Sequence, residues 1–283
     1  MGITDHVYLS ASGTITMVDP WIRTKVPSLQ KALLQLQVGL ESNAKEVVEA
    51  ELNGVIQPGN IAFSQKVSIK PHLNQIIKLD TVTVKKFLIN NPKLWWPNGY
   101  GEPNLYTCEL RLAVNGQDYD RKKFTFGIKE YSYDTIGNVF HISINGKRVF
   151  VKGGNWGMSE YILRCRGEAY DVKIKLHKEM NMNMIRNWIG SVTDNEFYEA
   201  CDKYGIMVWD DFWLSSDKNL PNDIFAFNRN AVEKIKRHRN HPSIALWCGD
   251  NEGYPEPPLN GWLAENVKTF DGGDRWYQAN SHS

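Results

Sequence analysis

The chain has 283 residues, 42% of them hydrophobic, which is ample for packed cores and excludes wholesale disorder; the length fits two ordinary domains better than one. Lys+Arg 33 against Asp+Glu 32 leaves a net charge of +1 with no basic stripe, which argues against nucleic acid as a partner. The longest apolar runs fall far short of the roughly 20 residues that span a bilayer, so no membrane partner is expected.

From the amino terminus to about residue 130 the chain reads as β. Leu34, Leu36, Val38 and Leu40 alternate at period two, as do Tyr106, Cys108, Leu110, Leu112 and Val114 before the turn pair Asn115-Gly116. Asn53-Gly54 and Pro58-Gly59 read as punctuation between strands. Short alternating strands with turn signals predict an antiparallel sandwich over residues 1–130. A further hairpin is expected around Asn145-Gly146, flanked by Phe140, Ile142 and Ile144 on one side and Val149 and Val151 on the other.

Beyond it, over 131–283, apolar strands alternate with helices, which implies a parallel sheet. The expected strands are Val149 to Lys152, Met184 to Trp188, Ile206 to Trp209 and Ile244 to Cys248. Thr193 and Glu196 fit a capping box; Phe197, Ala200, Cys201 and Tyr204 follow on one helical face, with Gly205 at the C-cap. Asp223 can start a second helix carrying Phe227, Ala231 and Ile235, ending in Lys236-Arg237-His238-Arg239 before Pro242. An eight-stranded barrel takes about 250 residues, so these elements are either a small open sheet or the first half of a barrel. The scattered cysteines, Cys108, Cys165, Cys201 and Cys248, show no zinc spacing and read as buried free thiols.

Function gathers at the carboxyl ends of parallel strands, where side chains converge. Those ends carry Gly153-Gly154-Asn155-Trp156, Arg186-Asn187-Trp188, Trp209-Asp210-Asp211-Phe212-Trp213 and Gly249-Asp250-Asn251-Glu252. A carboxyl among tryptophans can be partly desolvated and raised toward the range of a general acid, which singles out Glu252; the other reading of the position is that Asn251-Glu252 begins the next loop and faces water. Asn251 offers a donor and an acceptor suited to a sugar hydroxyl. Arg186 either orients a carboxylate or forms a structural pair with Asp210 or Asp211. One or two of Trp188, Trp209, Trp213 and Trp247 are expected to touch a ligand. Asp210 and Asp211, adjacent on a strand, point to opposite faces, so no metal is expected there.

The run Trp95-Trp96-Pro97-Asn98-Gly99-Tyr100-Gly101-Glu102-Pro103-Asn104-Leu105-Tyr106 resembles the immunoglobulin-like domain of glycoside hydrolase family two. Phe126-Gly127-Ile128-Lys129 is similar to that family's segment entering its barrel, with Lys in place of Arg. Lys152-Gly153-Gly154-Asn155-Trp156, Met184-Ile185-Arg186-Asn187-Trp188, Trp209-Asp210-Asp211-Phe212 and Trp247-Cys248-Gly249-Asp250-Asn251-Glu252 follow in the family's order. Their forms look most like the β-mannosidase and exo-β-glucosaminidase branch.

The resemblance implies an immunoglobulin-like β-sandwich followed by the first half of a (β/α)8 TIM barrel, within a retaining exo-β-glycosidase that needs no cofactor or metal. It implies Glu252 as acid/base, Asn251 as the residue holding the 2-position substituent, Arg186 near the nucleophile, and Trp188, Asp211, Trp213 and Asn155 as pocket residues; the partner is an oligosaccharide or glycoside. The family's nucleophilic Glu follows a later strand, so the chain is expected to be an internal piece of a longer enzyme and inactive alone. Gly2-Ile3-Thr4-Asp5-His6-Val7-Tyr8-Leu9 resembles the last strand of a preceding domain. A periplasmic or secreted setting is implied, with any signal peptide upstream, and self-association through open barrel edges is expected. Two other readings stay open: a non-catalytic carbohydrate-binding or interaction module, and an unrelated open-sheet binding domain.

Overall fold

The computed structural model describes residues 7–157, 165–216 and 220–281. Residues 2–6 of the expected leading strand lie outside them, and Val7, Tyr8 and Leu9 are exposed and in no strand.

The chain forms two compact units. The first, residues 1–92 with 106–126, is a pair of antiparallel sheets. One holds β1 (Ile15–Ser28), β2 (Lys31–Ser42), β5 (Gln75–Leu79) and β6 (Leu88–Asn90); the other holds β3 (Val48–Gln57), β4 (Ile61–Ile69), β7 (Tyr106–Val114) and β8 (Gln117–Phe126). The period-two residues of β2 and β7 are buried as expected, with Leu36, Val38, Cys108 and Leu112 fully inside. Asn115 and Gly116 take φ of 49° and 80°, the left-handed pair that matches the twist of a two-residue hairpin.

Asn53 and Gly54 depart from expectation. They lie inside β3, opposite Ser64 and Phe63, and a Cβ on Gly54 would stand 2.0 Å from the Phe63 ring. The glycine makes room for a neighbour's ring rather than turning the chain. Gly54→Val is expected to cost about 1–3 kcal/mol by overpacking, read as a lower urea midpoint; an unchanged midpoint would show that Phe63 can move aside.

The second unit comprises 93–105 and 127–283. The segment 93–105 packs here: Trp95 Nε1 donates to the Asp202 carbonyl at 2.8 Å, and Asn98 Nδ2 to those of Lys178 and Met182. A small antiparallel sheet, β9 (Tyr131–Ile136), β10 (Val139–Ile144) and β11 (Lys147–Val149), contains the expected Asn145-Gly146 hairpin. Five parallel strands follow in sequential order: β12 (Gly153–Trp156), β13 (Met184–Asn187), β14 (Met207–Asp211), β15 (Ile244–Asp250) and β16 (Trp276–Asn280). They are linked by α1 (Glu168–Glu179), α2 (Asn195–Tyr204), α3 (Ile224–His238) and α4 (Leu259–Phe270). This is the β/α succession of a partial TIM barrel.

Several local expectations need correction. The first parallel strand is β12, not Val149 to Lys152: Val149 pairs with Ile142 across the hairpin. Gly153 lets the two backbones approach, since a Cβ there would meet the Met184 carbonyl oxygen at 1.9 Å. The capping box is absent. α2 starts after Asp194, whose carboxylate makes no cap bond because Arg166 and the Tyr170 hydroxyl hold it. The Gly205 C-cap (φ 71°) and the Asp223 N-cap, which accepts from Ala226 N at 2.8 Å, form as expected.

Side chains of the parallel strands alternate between two layers. Ile185, Val208 and Trp247 face the helices and join Phe197, Cys201, Ala231 and Ile235; Met184, Met207, Leu246 and Cys248 face the other way, with Tyr131, Ile142 and Val149. All four cysteines are buried free thiols, and burial pushes Cys108 and Cys248 up to about 12. Among the described residues no helix is long and apolar enough to cross a membrane.

Candidate active site

The alternation of β13 and β14 sets up the site. Arg186 and Asp211 project to the inner face, while Asn187 and Asp210 project toward the helices. The fully buried Asp211 takes Arg186 in a fork: Nε at 3.2 and 3.1 Å and Nη2 at 2.7 Å. Ile189 N donates to the same carboxylate at 2.9 Å. Burial raises the Asp211 carboxyl above its ordinary range, and these donors pull it back only in part.

From Arg186 the network runs to the end of β15. Arg186 Nη2 donates to Asn251 Oδ1 at 2.9 Å, and Trp188 Nε1 donates to the same oxygen at 3.1 Å. Guanidinium and indole can only donate, so the chemistry fixes which end of the amide is oxygen. The Asn251 nitrogen is thereby turned away from both, and no described residue accepts its hydrogens.

Trp188 opens a short turn in which Ile189 (φ 48°) and Gly190 (φ 60°) are left-handed. A β-branched residue there is strained by about 1–2 kcal/mol. The Asn187 side chain clasps the turn, donating from Nδ2 to the Val192 carbonyl at 2.8 Å and accepting from Val192 N at 3.1 Å. The Trp188 ring stays 37% exposed above this base.

Glu252 follows Asn251 in the left-handed region, at φ 64°. Its backbone N–H donates to Ser281 Oγ at 3.0 Å, and its Oε2 accepts from Ser216 Oγ at 3.2 Å. Of the two readings of this position the structure shows the solvent-facing one: Glu252 is exposed and not desolvated, because the tryptophans counted around it pack elsewhere. Trp247 is fully buried against Phe212 and donates to Asp271. Trp209 lies under Arg186, 5.7 Å from its guanidinium.

Arg186, Trp188, Asp211 and Asn251 are thus joined by hydrogen bonds, with Glu252 next to them in the chain. Trp213 packs edge-on to Phe227 and 5.1 Å from the Lys234 ammonium, outside that network. Asn155 lies within β12 rather than past it; it pairs with Arg186 in register and is exposed. An apolar cavity of about 470 Å³ adjoins the site through Trp209, lined also by Phe140, Val149, Met184 and Leu246. Among the described residues no cluster of three His, Cys, Asp or Glu side chains could hold a metal.

Sequence reasoning did not single out Lys234, Ser216, Ile189 or Tyr198. Lys234 had a signal, a charge on the apolar stripe of α3; the others had none.

Residues 15–129 match the Glycosyl hydrolases family 2 profile, and residues 138–272 match that family's TIM barrel domain. The chain belongs to glycosyl hydrolase family 2. A mannosylglycoprotein endo-beta-mannosidase of Lilium longiflorum is 35% identical over 94% of this chain and 30% of that protein. A beta-mannosidase B of Aspergillus fumigatus is 34% identical over 59% of this chain and 21% of that protein. The solved beta-D-mannosidase of Dictyoglomus thermophilum has a TM-score of 0.78 at 28% identity, covering 94% of this chain and 35% of that one. An exo-chitosanase of Amycolatopsis orientalis has a TM-score of 0.83 at 19% identity over 95% of this chain and 32% of that one, a likeness of fold. The family 2 chain therefore spans about 30% of the length of the first of these relatives.

Proposed function

We propose that the chain supplies the proton-donor side of a retaining exo-β-glycosidase site, acting on terminal β-mannosides in preference to β-glucosaminides. The observation that carries the reading is the fixed amide of Asn251. With Oδ1 held by Arg186 at 2.9 Å and by Trp188 at 3.1 Å, the side chain can offer the sugar only its N–H groups. A 2-hydroxyl accepts such a bond; a protonated 2-amine offers only donors and leaves two like groups facing each other. Beta-mannosidases among the relatives support the same preference.

In this mechanism Glu252 gives its proton to the glycosidic oxygen as the bond to the anomeric carbon breaks. A second carboxylate, about 5–5.5 Å away, attacks that carbon, and water later releases the sugar with Glu252 acting as base. Asp211 is committed to Arg186 and Ile189 N and is not free to attack. The nucleophile is accordingly proposed to lie in further polypeptide, and the 283-residue chain alone is expected to show no turnover.

A panel of nitrophenyl β-glycosides, applied to a longer polypeptide carrying this chain, tests the proposal. The β-mannoside is expected to lead the β-glucosaminide by at least about a hundredfold in kcat/KM, the size of effect an unmatched buried polar group produces. A leading glucosaminide would overturn the substrate preference. Turnover of mannose-containing oligosaccharides without any nitrophenyl mannoside hydrolysis would replace exo by endo action, as in the name of the lily relative.

A further inference from the structure

Behind the site, on the helix side of the sheet, a lysine is buried where α3 would ordinarily pack an apolar residue. Lys234 shares its stripe with Ala231 and Ile235, and its side chain is 2% exposed. Its Nζ donates to Asp210 Oδ1 at 2.8 Å and to the backbone oxygen of Asp211 at 2.6 Å. A Cβ on Gly190 would meet that nitrogen at 3.0 Å and that oxygen at 2.4 Å, so the ammonium lies directly beneath the turn that presents Trp188. Asp210 is held in turn by Asn187 Nδ2 and the Tyr198 hydroxyl, each at 2.9 Å.

Buried ion pairs stabilise poorly compared with apolar packing, because desolvating both charges offsets their attraction. If stability alone were at stake, Met or Leu would serve at 234. Lysine adds what neither can: a donor to the Asp211 carbonyl at the point where β14 passes into its loop. On the opposite face the Asp211 carboxylate holds Arg186 and Ile189 N, and Arg186 reaches Asn251. Two cations thus clamp two adjacent residues of one strand from opposite sides.

We infer that Lys234 is a positioning residue for the sugar pocket, fixing Asp211 from behind and through it Arg186, Asn251 and the Trp188 turn. The inference rests on the glycosidase reading for its kinetic consequence, though not for its geometry.

The test compares Lys234→Met with the double variant Lys234→Met/Asp210→Asn. The single variant strands a buried carboxylate and is expected to unfold at lower denaturant. The double variant removes that charge. Its one amide oxygen can still accept from Asn187 Nδ2, while its amide nitrogen can donate to the Tyr198 hydroxyl, which keeps the Val192 carbonyl as its own acceptor, so it is expected to recover most of the lost midpoint. Both are expected to keep a deficit of about ten- to a hundredfold in kcat/KM for the β-mannoside, with kcat falling more than KM rises, because misplaced groups slow the reaction itself. In the 283-residue chain, the Trp188 indole N–H resonance is expected to shift in the double variant. Recovery of both midpoint and kcat/KM in the double variant would overturn the inference and leave Lys234 a stabilising residue. An unmoved Trp188 resonance would overturn it as well. A parent polypeptide with no β-glycoside turnover would defeat the glycosidase reading instead, and the resonance would then decide the positioning role alone.

Discussion

Glu252→Gln is expected to lower kcat/KM by about 10²–10⁴-fold toward β-mannosides with poor leaving groups, the contribution of a positioned general acid. The loss should shrink toward nothing for a dinitrophenyl mannoside, whose phenolate departs without a proton. The amide is isosteric with the acid, and the backbone bond to Ser281 and an acceptor for Ser216 Oγ both survive. As Glu252 is exposed, stability should stay within about 0.5 kcal/mol of the parent. A leaving-group series on parent and variant gives the answer. A loss of equal size for every leaving group would assign Glu252 to something other than proton donation.

Arg275→Met carries the largest expected stability effect, about 3–5 kcal/mol, because it leaves a charge buried without its partner. Arg275 donates to the Asp271 carboxylate and to the carbonyls of Ile244 at 2.7 Å, His241 at 2.7 Å and Arg239 at 3.1 Å. One guanidinium thereby ties the start of β15, the chain beyond α3 and the end of α4. Burial already raises the Asp271 carboxyl despite Arg275, and among the described residues Trp247 Nε1 is the only other hydrogen-bond donor to it, at 3.1 Å. Guanidinium chloride unfolding should show the loss as a lower midpoint; a cost under about 1 kcal/mol would mean that water or a rearranged side chain replaces the guanidinium.

The architecture was legible wherever one face of an element is buried and the other is not. The alternation in β2 and β7 and the apolar stripes of α2 and α3 are direct consequences of that asymmetry. It was illegible where local chemistry has two uses. Gly54 reads as a turn residue but gives space to Phe63, and Gly153 belongs to a strand that has no apolar signature because close backbone approach replaces side-chain packing. β16 escaped notice for a related reason: Trp276 is 45% exposed, and the strand carries no apolar run.

At the site, strand-end position was enough to single out Arg186, Asp211 and Asn251, which the fold joins. It could not reveal that Asn251 is left as a donor alone, since that depends on two obligate donors arriving from β13 and its following turn. Nor does a high tryptophan count reveal which rings pack inward: Trp247 joins the core while Trp188 does not. Lys234 sat in plain view on the stripe of Ala231 and Ile235, but only its contacts show that the charge grips the back of Asp211.

The most direct measurement is a crystal structure of a longer polypeptide carrying this chain with a mannose-configured inhibitor bound. The expected complex has Asn251 Nδ2 about 3 Å from the sugar's 2-oxygen and a Glu252 carboxyl oxygen at hydrogen-bond distance from the position of the departing oxygen. A sugar seated elsewhere, with Asn251 and Glu252 untouched, would contradict the account.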